Sequence, residues 1–332
     1  MRVLITGGAG FIGSHLAARL IRQGHRVSIV DDLSTGSIEN LESIKDHENF
    51  EYHLDSIFNR SLMAEQVDLA DVIFHLAAAV GVRRIVEMPV QTIETNVQGS
   101  DVILKLASKK NKRLLITSTS EVYGKSNKTP FREKDDMLFG STYNSRWSYA
   151  CSKAIDEFLA LAYWRERKLP VTVVRLFNTA GPRQTGRYGM VLPTFVHQAL
   201  AGEPLTVFGN GEQSRCFGHI DDVLDGIIAC VMSDKTVGEI FNLGNTEEVT
   251  IRELAEKIIV ATQSQSQLRF VPYDEAYGPG FEDMARRVPD ISKAREWFGY
   301  VPKRSLGDII RDVVAYKREK TQRKAMSAAH VG

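Results

Sequence analysis

A glycine loop at the start of the chain constrains the fold more than any other feature. Residues 3–6 form a short apolar run that stops at Gly7-Gly8-Ala9-Gly10-Phe11-Ile12-Gly13. Helical periodicity follows at once over 11–23, with Phe11, Ile12, His15, Leu16 and Leu20 on one stripe. In that setting Gly7 permits a tight turn, Gly10 lets backbone approach a pyrophosphate and Gly13 lets the helix pack closely on the strand. The amides and the dipole of the helix start, with Phe11 and Ile12 in its first turn, favour bound negative charge. The next apolar run, 26–30, ends in Asp31-Asp32. An acidic residue there accepts hydrogen bonds from an adenosine ribose and repels a 2′-phosphate, so NAD is expected rather than NADP. Asp31 and Asp32 also fit a plain turn in Asp-Asp-Leu-Ser-Thr-Gly. Asp55, past the following strand, reads as an adenine contact or as a solvated loop carboxylate.

Further strands are expected at 72–76, 113–117 and 171–176, with helices around 97–107 and 148–164. Continuous apolar strands separated by helices indicate a parallel sheet buried on both faces, an α/β fold with a Rossmann-type doubly wound sheet. Beyond it, Gly, Pro and Asn punctuate 178–211. Residues 220–232 read as a helix and 239–243 as a strand rejoining the first sheet. An amphipathic helix over 250–261 begins with Thr250 as N-cap and Glu253 three residues on. The expected division is an NAD-binding domain of 1–177 plus about 217–243, and a smaller C-terminal α/β substrate domain of about 178–216 and 244–320. Residues 321–332 lack periodicity and are expected to form a flexible tail.

Charge and cysteine usage narrow the partners. Forty-two Lys and Arg against 41 Asp and Glu leave a net charge of +1, which argues against a nucleic-acid partner. The three cysteines show no CxxC spacing, and Cys216 and His219 lack partner ligands at metal spacing, so neither a disulfide framework nor a metal is expected. No run of about 18 apolar residues exists, and the apolar start reaches glycine too soon for a secretory core. A cytoplasmic protein with no membrane partner is expected.

Tyr149-Ala150-Cys151-Ser152-Lys153 places a phenol and an ammonium four residues apart, on one face of a helix. A neighbouring Lys⁺ and a positively charged nicotinamide stabilise phenolate, so Tyr149 is expected to act as a base near neutral pH. Thr117-Ser118-Thr119-Ser120-Glu121-Val122-Tyr123-Gly124 follows a predicted strand, whose carboxyl end faces the ligand crevice. Thr119 there is placed to hydrogen-bond the oxygen that Tyr149 deprotonates; an ordinary strand-to-loop turn is the other reading.

Taken together, TGGAGFIG, His75-Leu76-Ala77-Ala78, Asn96, STSEVYG, YACSK, FNTAGPR and GEPLTVFGNGEQSRCFGHIDD (202–222) resemble the extended short-chain dehydrogenase/reductases that act on nucleotide sugars. The resemblance spans nearly the whole chain. It implies bound NAD, with Leu76, Ala77, Ala78 and Asn96 added to the cofactor contacts, and a homodimer built by a four-helix bundle. It also implies a shared first step, in which tyrosinate takes the C4 hydroxyl proton of the sugar while hydride passes to NAD. Later chemistry of the 4-keto sugar divides the family into decarboxylases, 4-epimerases and 4,6-dehydratases.

Ser120-Glu121 resembles the pair found in UDP-glucuronate decarboxylases and some 4,6-dehydratases, although a Glu there also fits a structural salt bridge. Residues 145–153, 277–283 and 286–290 are similar to UDP-apiose/xylose synthase and to a decarboxylase of the lipid A aminoarabinose pathway. By that resemblance Arg146 holds a sugar carboxylate, and Arg215 and Arg287 lie near pyrophosphate and sugar, where bidentate guanidinium suits both. Residues 79–89, with Arg83, instead resemble the substrate loop of 4-epimerases. Asn178, Leu192, Val207 and Phe208 complete the expected substrate contacts. A UDP-glucuronate decarboxylase-like activity is therefore expected first. A 4-epimerase of UDP-glucose or UDP-glucuronate is the alternative, followed by a 4,6-dehydratase. A non-catalytic nucleotide sensor is disfavoured because Tyr149 and Lys153 both stand.

Overall fold

The computed structural model describes residues 1–187, 189–278 and 281–329. Strands β1 (Arg2–Thr6), β2 (Arg26–Val30), β3 (Phe50–His53), β4 (Val72–His75), β5 (Arg113–Thr119) and β6 (Val171–Leu176) form one sheet with a seventh strand, Ile240–Leu243. The order is β3-β2-β1-β4-β5-β6 and then Ile240–Leu243, with every pairing parallel. The first five helices are α1 (Phe11–Arg22), α2 (Arg60–Leu69), α3 (Val82–Glu87), α4 (Pro89–Lys109) and α5 (Arg146–Arg167).

Alternating side chains explain why the central strands are mostly apolar. Val3, Ile5, Ile29, Phe74, Leu115 and Val174 pack with Leu16 and Leu20 of α1 and with the helix Ile220–Met232. Their sequence neighbours Leu4, Val30, Ile73, Leu114, Ile116 and Val173 pack on the other face with Met63, Ile103, Leu104 and Ala160. With both faces covered the middle of the sheet is mostly apolar, and the buried exceptions on β6, Thr172 and Arg175, are hydrogen-bonded. Strand order reverses between β1 and β4, and a ligand crevice opens at the carboxyl ends on either side of such a switch point.

A second apolar cluster gathers the helices Val191–Ala201, Ile251–Thr262 and Leu306–Ala329 around Leu205 and Val207. Thr250 and Glu253 form the expected capping box. Residues 321–329, which lack apolar periodicity, continue the last helix. Extending an existing helix adds a hydrogen bond per residue without a new nucleus, so no apolar stripe is needed. Arg323–Glu319 and Lys320–Glu39 ion pairs support the extension. Residues 330–332 lie outside the described residues. No helix among the described residues is long and apolar enough to cross a membrane.

Candidate active site

A cleft of about 1350 Å³ runs from the glycine loop to the helix Val191–Ala201. Gly7, Gly10, Phe11, Ile12 and Gly13 line its inner end. Gly7 has φ +73° and lies against the strand next door: a Cβ there would sit 2.8 Å from the Ala77 amide nitrogen. A Cβ on Gly13 would sit 2.2 Å from the Gly7 carbonyl oxygen, so only glycine lets α1 start this close to the turn.

Asp31 is buried at the end of β2. Its oxygens accept from the Ala9 amide at 2.9 Å and the Leu33 amide at 2.8 Å. Burial pushes its carboxyl up, against the pull of those two amides. Each oxygen keeps acceptor capacity toward the cleft, so the turn reading and the ligand reading of Asp31 coexist. Asp32 and Asp55 are also on the wall while bonding Ser34 and Ser56 amides. Leu76, Ala77 and Ala78 form the facing wall. Asn96 does not line the cleft. It is buried on α4, accepts from the Ala79 amide at 2.8 Å and donates to Ser152 Oγ at 3.0 Å, tying the loop after β4 to α5.

Tyr149 and Lys153 face the cleft one turn apart on α5, opposite Thr119 and Ser120 at the end of β5. The Lys153 ammonium donates to Asp156 Oδ2 at 2.7 Å. Burial first, then the negative charge of Glu121, hold the Tyr149 phenol well above the ordinary value, while a hydrogen bond with Thr119 pulls it down. The expected lowering invokes a positively charged nicotinamide as well as Lys153.

Beside the phenol lies a buried charge network. Arg146 bonds Glu121 through Nη1, and Arg287 Nη1 reaches the other Glu121 oxygen at 3.2 Å. Arg215 Nη2 donates to Asp283 Oδ2 at 2.7 Å, and Arg146 and Arg287 each come within 3.7 Å of Asp283 Oδ1. Three guanidiniums thus face two carboxylates, leaving one positive charge in surplus. Burial would raise both carboxyls, but the arginines outweigh it and hold each below its ordinary value. Arg215 is pushed down to about 10, by burial and by the neighbouring Arg287 charge.

Arg146 is corrected as a direct substrate contact. It is 2% exposed and off the cleft wall, behind Glu121, whereas Glu121, Asp283, Arg215 and Arg287 line the cleft. The Nε of Arg287 is buried with no hydrogen bond. Val207 is corrected too: strand alternation turns it into the core and leaves Thr206 and Phe208 on the wall with Leu192. Asn178 lines the cleft, and Arg83 sits at an exposed part of it, paired with Glu87 at 2.8 Å. Sequence reasoning gave no role to Asp283, Asp156 or the stacked Tyr277 and Phe281, whose rings lie 4.3 Å apart. A carboxylate count near the expected arginines would have pointed to Asp283. Pro279 and Gly280 of the 277–283 segment lie outside the described residues.

Among the described residues no group of three His, Cys, Asp or Glu suits a metal ion. Over residues 4–313 the chain matches the family described as GDP-mannose 4,6 dehydratase. It is 43% identical over 319 residues to the UDP-N-acetyl-alpha-D-glucosaminuronate decarboxylase of Bacillus cytotoxicus, covering 96% of this chain and 98% of that protein. It is 36% identical over 324 residues to UDP-glucuronic acid decarboxylase 1 of Danio rerio, covering 98% of this chain and 74% of that protein. A solved UDP-glucuronic acid 4-epimerase of Bacillus cereus, in complex with UDP-glucuronic acid and NAD, matches with TM-score 0.86 at 28% identity, over 96% of this chain and 99% of that one. With this match and a seven-stranded parallel sheet whose switch point carries the glycine loop, the chain belongs to the GDP-mannose 4,6 dehydratase family of extended short-chain dehydrogenase/reductases.

Proposed function

We propose that the chain is an NAD-dependent decarboxylase of a UDP-hexuronate, with UDP-glucuronate the substrate to try first. The surplus positive charge of the arginine network beside Tyr149 carries this reading, because a sugar carboxylate neutralises it. The names of the 43% and 36% identical relatives support it. A dinucleotide fits the glycine turn, where Cβ atoms at 7 and 13 would block the approach, and the remaining acceptor capacity of Asp31. NAD, when bound, supplies the acceptor and later donor of hydride at sugar C4. Tyr149 takes the C4 hydroxyl proton, and Thr119 hydrogen-bonds the same oxygen. Arg287, with an unbonded Nε, receives the carboxylate, and Glu121 holds Arg287 in place. Once C4 is a ketone, the bond from C5 to the carboxyl carbon breaks. Carbon dioxide leaves, and the electron pair is taken up by the C4 oxygen.

Incubation with UDP-glucuronate and NAD is expected to release carbon dioxide and give a UDP-pentose, read by mass spectrometry. Turnover restricted to neutral nucleotide sugars would overturn the reading. A product of unchanged mass and inverted C4 would establish the 4-epimerase alternative, which the Bacillus cereus structure makes the second choice.

A cytoplasmic location belongs to the same reading, supported by Cys151, Cys216 and Cys230 standing as free thiols. A homodimer does too. Val90 and Ile93 on α4 and Ile155 and Phe158 on α5 are exposed, Phe158 by 69%. Sedimentation velocity is expected to give twice the chain mass, and Phe158→Glu to give one. A monomeric parent protein rejects the dimer.

A further inference from the structure

Asp156 is a fully buried carboxylate that the chemistry above does not use. It sits on α5 behind the cleft wall, one turn after Lys153, and accepts from the Lys153 ammonium at 2.7 Å. Its other oxygen, Oδ1, is buried without a hydrogen bond; burial pushes the carboxyl up, against the pull of the Lys153 ammonium and of the nearby Ser100 hydroxyl of α4. Ser100 Oγ in turn lies 3.4 Å from His75 Nε2, and His75 Nδ1 lies 2.7 Å from Thr6 Oγ1 at the mouth of the glycine turn. Polar contacts thus run from the glycine turn through His75 to Ser100 on one side, and from Asp156 to the lysine on the other.

The charges around these contacts single out one pair. His75 on β4 is neutral, its pKa held down to about 3 by burial and then by Lys153. Glu157 is engaged by Ser118 and Arg175. Lys153 is therefore the cation that compensates Asp156, and a buried carboxylate without such a partner is costly. An ammonium carries three donors, so the bond to Asp156 leaves two for the cleft that Lys153 lines. The charged groups with the largest effects on the Tyr149 phenol are Glu121, Asp156 and Arg146.

We propose that Asp156 is a positioning residue for Lys153: it anchors the ammonium in the cleft wall between phenol and dinucleotide, and its charge is part of what the tyrosine senses. The proposal rests on Tyr149 being the base, but not on which sugar is the substrate. Its test accordingly uses whichever nucleotide sugar the parent protein converts.

In full-length Asp156→Asn, kcat is expected to fall about tenfold. The ascending limb of the pH profile is expected to move about one unit to lower pH, because a negative charge opposing phenolate is gone. Calorimetry is expected to show NAD binding about tenfold weaker. Asp156→Glu, which keeps the charge, is expected to restore the position of the limb and most of kcat. In a Lys153→Met background, Asp156→Asn is expected to change kcat by less than about twofold, because the partner it acts through is already missing. Thermal unfolding of each variant identifies loss of fold. An unmoved limb, unchanged NAD affinity or an equal loss in both backgrounds overturns the proposal. If Asp156→Asn does not fold, the position of the limb in Asp156→Glu and the loss from Asp156→Asn in the Lys153→Met background decide.

Discussion

Tyr149→Phe is expected to lower kcat about 10²–10⁴-fold, the usual contribution of a positioned general base, while leaving NAD affinity and the unfolding temperature near those of the parent protein. The change removes one oxygen from a ring that is 8% exposed, and it creates no cavity among the surrounding side chains. The partner it loses is the Thr119 hydroxyl, which lies on the cleft wall and has water as a substitute. The kinetic loss corresponds to about 3–5 kcal/mol of transition-state stabilisation. Because burial and Glu121 hold the phenol above its ordinary value, activity is expected to rise with pH toward a limit set by deprotonation. Steady-state kinetics paired with calorimetry separate the two effects. Turnover retained in this variant removes Tyr149 as the base.

Glu121→Gln has the second large expected effect, and it acts on both stability and chemistry. The carboxylate is buried and pairs with Arg146 and Arg287. Removing one partner of such a cluster leaves guanidinium charge uncompensated, at a cost of about 3–5 kcal/mol. Against a total stability of about 5–15 kcal/mol, that is a large share, and the unfolding temperature is expected to drop clearly. The pairing also fixes the sign of the pH dependence. The folded pKa of Glu121 lies below the ordinary glutamate value of 4.5, so its stabilisation is full above that value and is lost as pH falls through the folded pKa. The gap in unfolding temperature between the parent protein and Glu121→Gln should therefore close on acidification. Chemistry is expected to fail at the carboxylate before it fails at C4, so carbon dioxide release drops more than NADH formation followed by its absorbance. Equal losses in both readouts would leave Glu121 a purely structural anion.

Thr119 and Ser120 lie where the carboxyl end of β5 was expected to put them, and the NAD turn shows the steric need for glycine that its spacing implied. Both depend on contacts close in sequence or on the alternation of a single strand. The sheet is legible for the same reason: its central strands are mostly apolar on both faces because helices cover each face. The arginines are a different case. Arg146, Arg215 and Arg287 were each recognisable by resemblance, but which of them meets substrate depends on Glu121 and Asp283, and the Arg287–Glu121 pair spans 166 residues. No local pattern encodes that a carboxylate will draw Arg146 off the wall and leave Arg287 on it.

The same separation holds throughout the molecule. Backbone requirements and apolar periodicity are local quantities, so the amino-acid order alone determined the parallel sheet, the glycine turn and the helix that carries Tyr149 and Lys153. Compensation of buried charge is a property of neighbours in space. Only the tertiary structure could decide that Val207 turns inward and that three guanidiniums share two carboxylates beside the phenol.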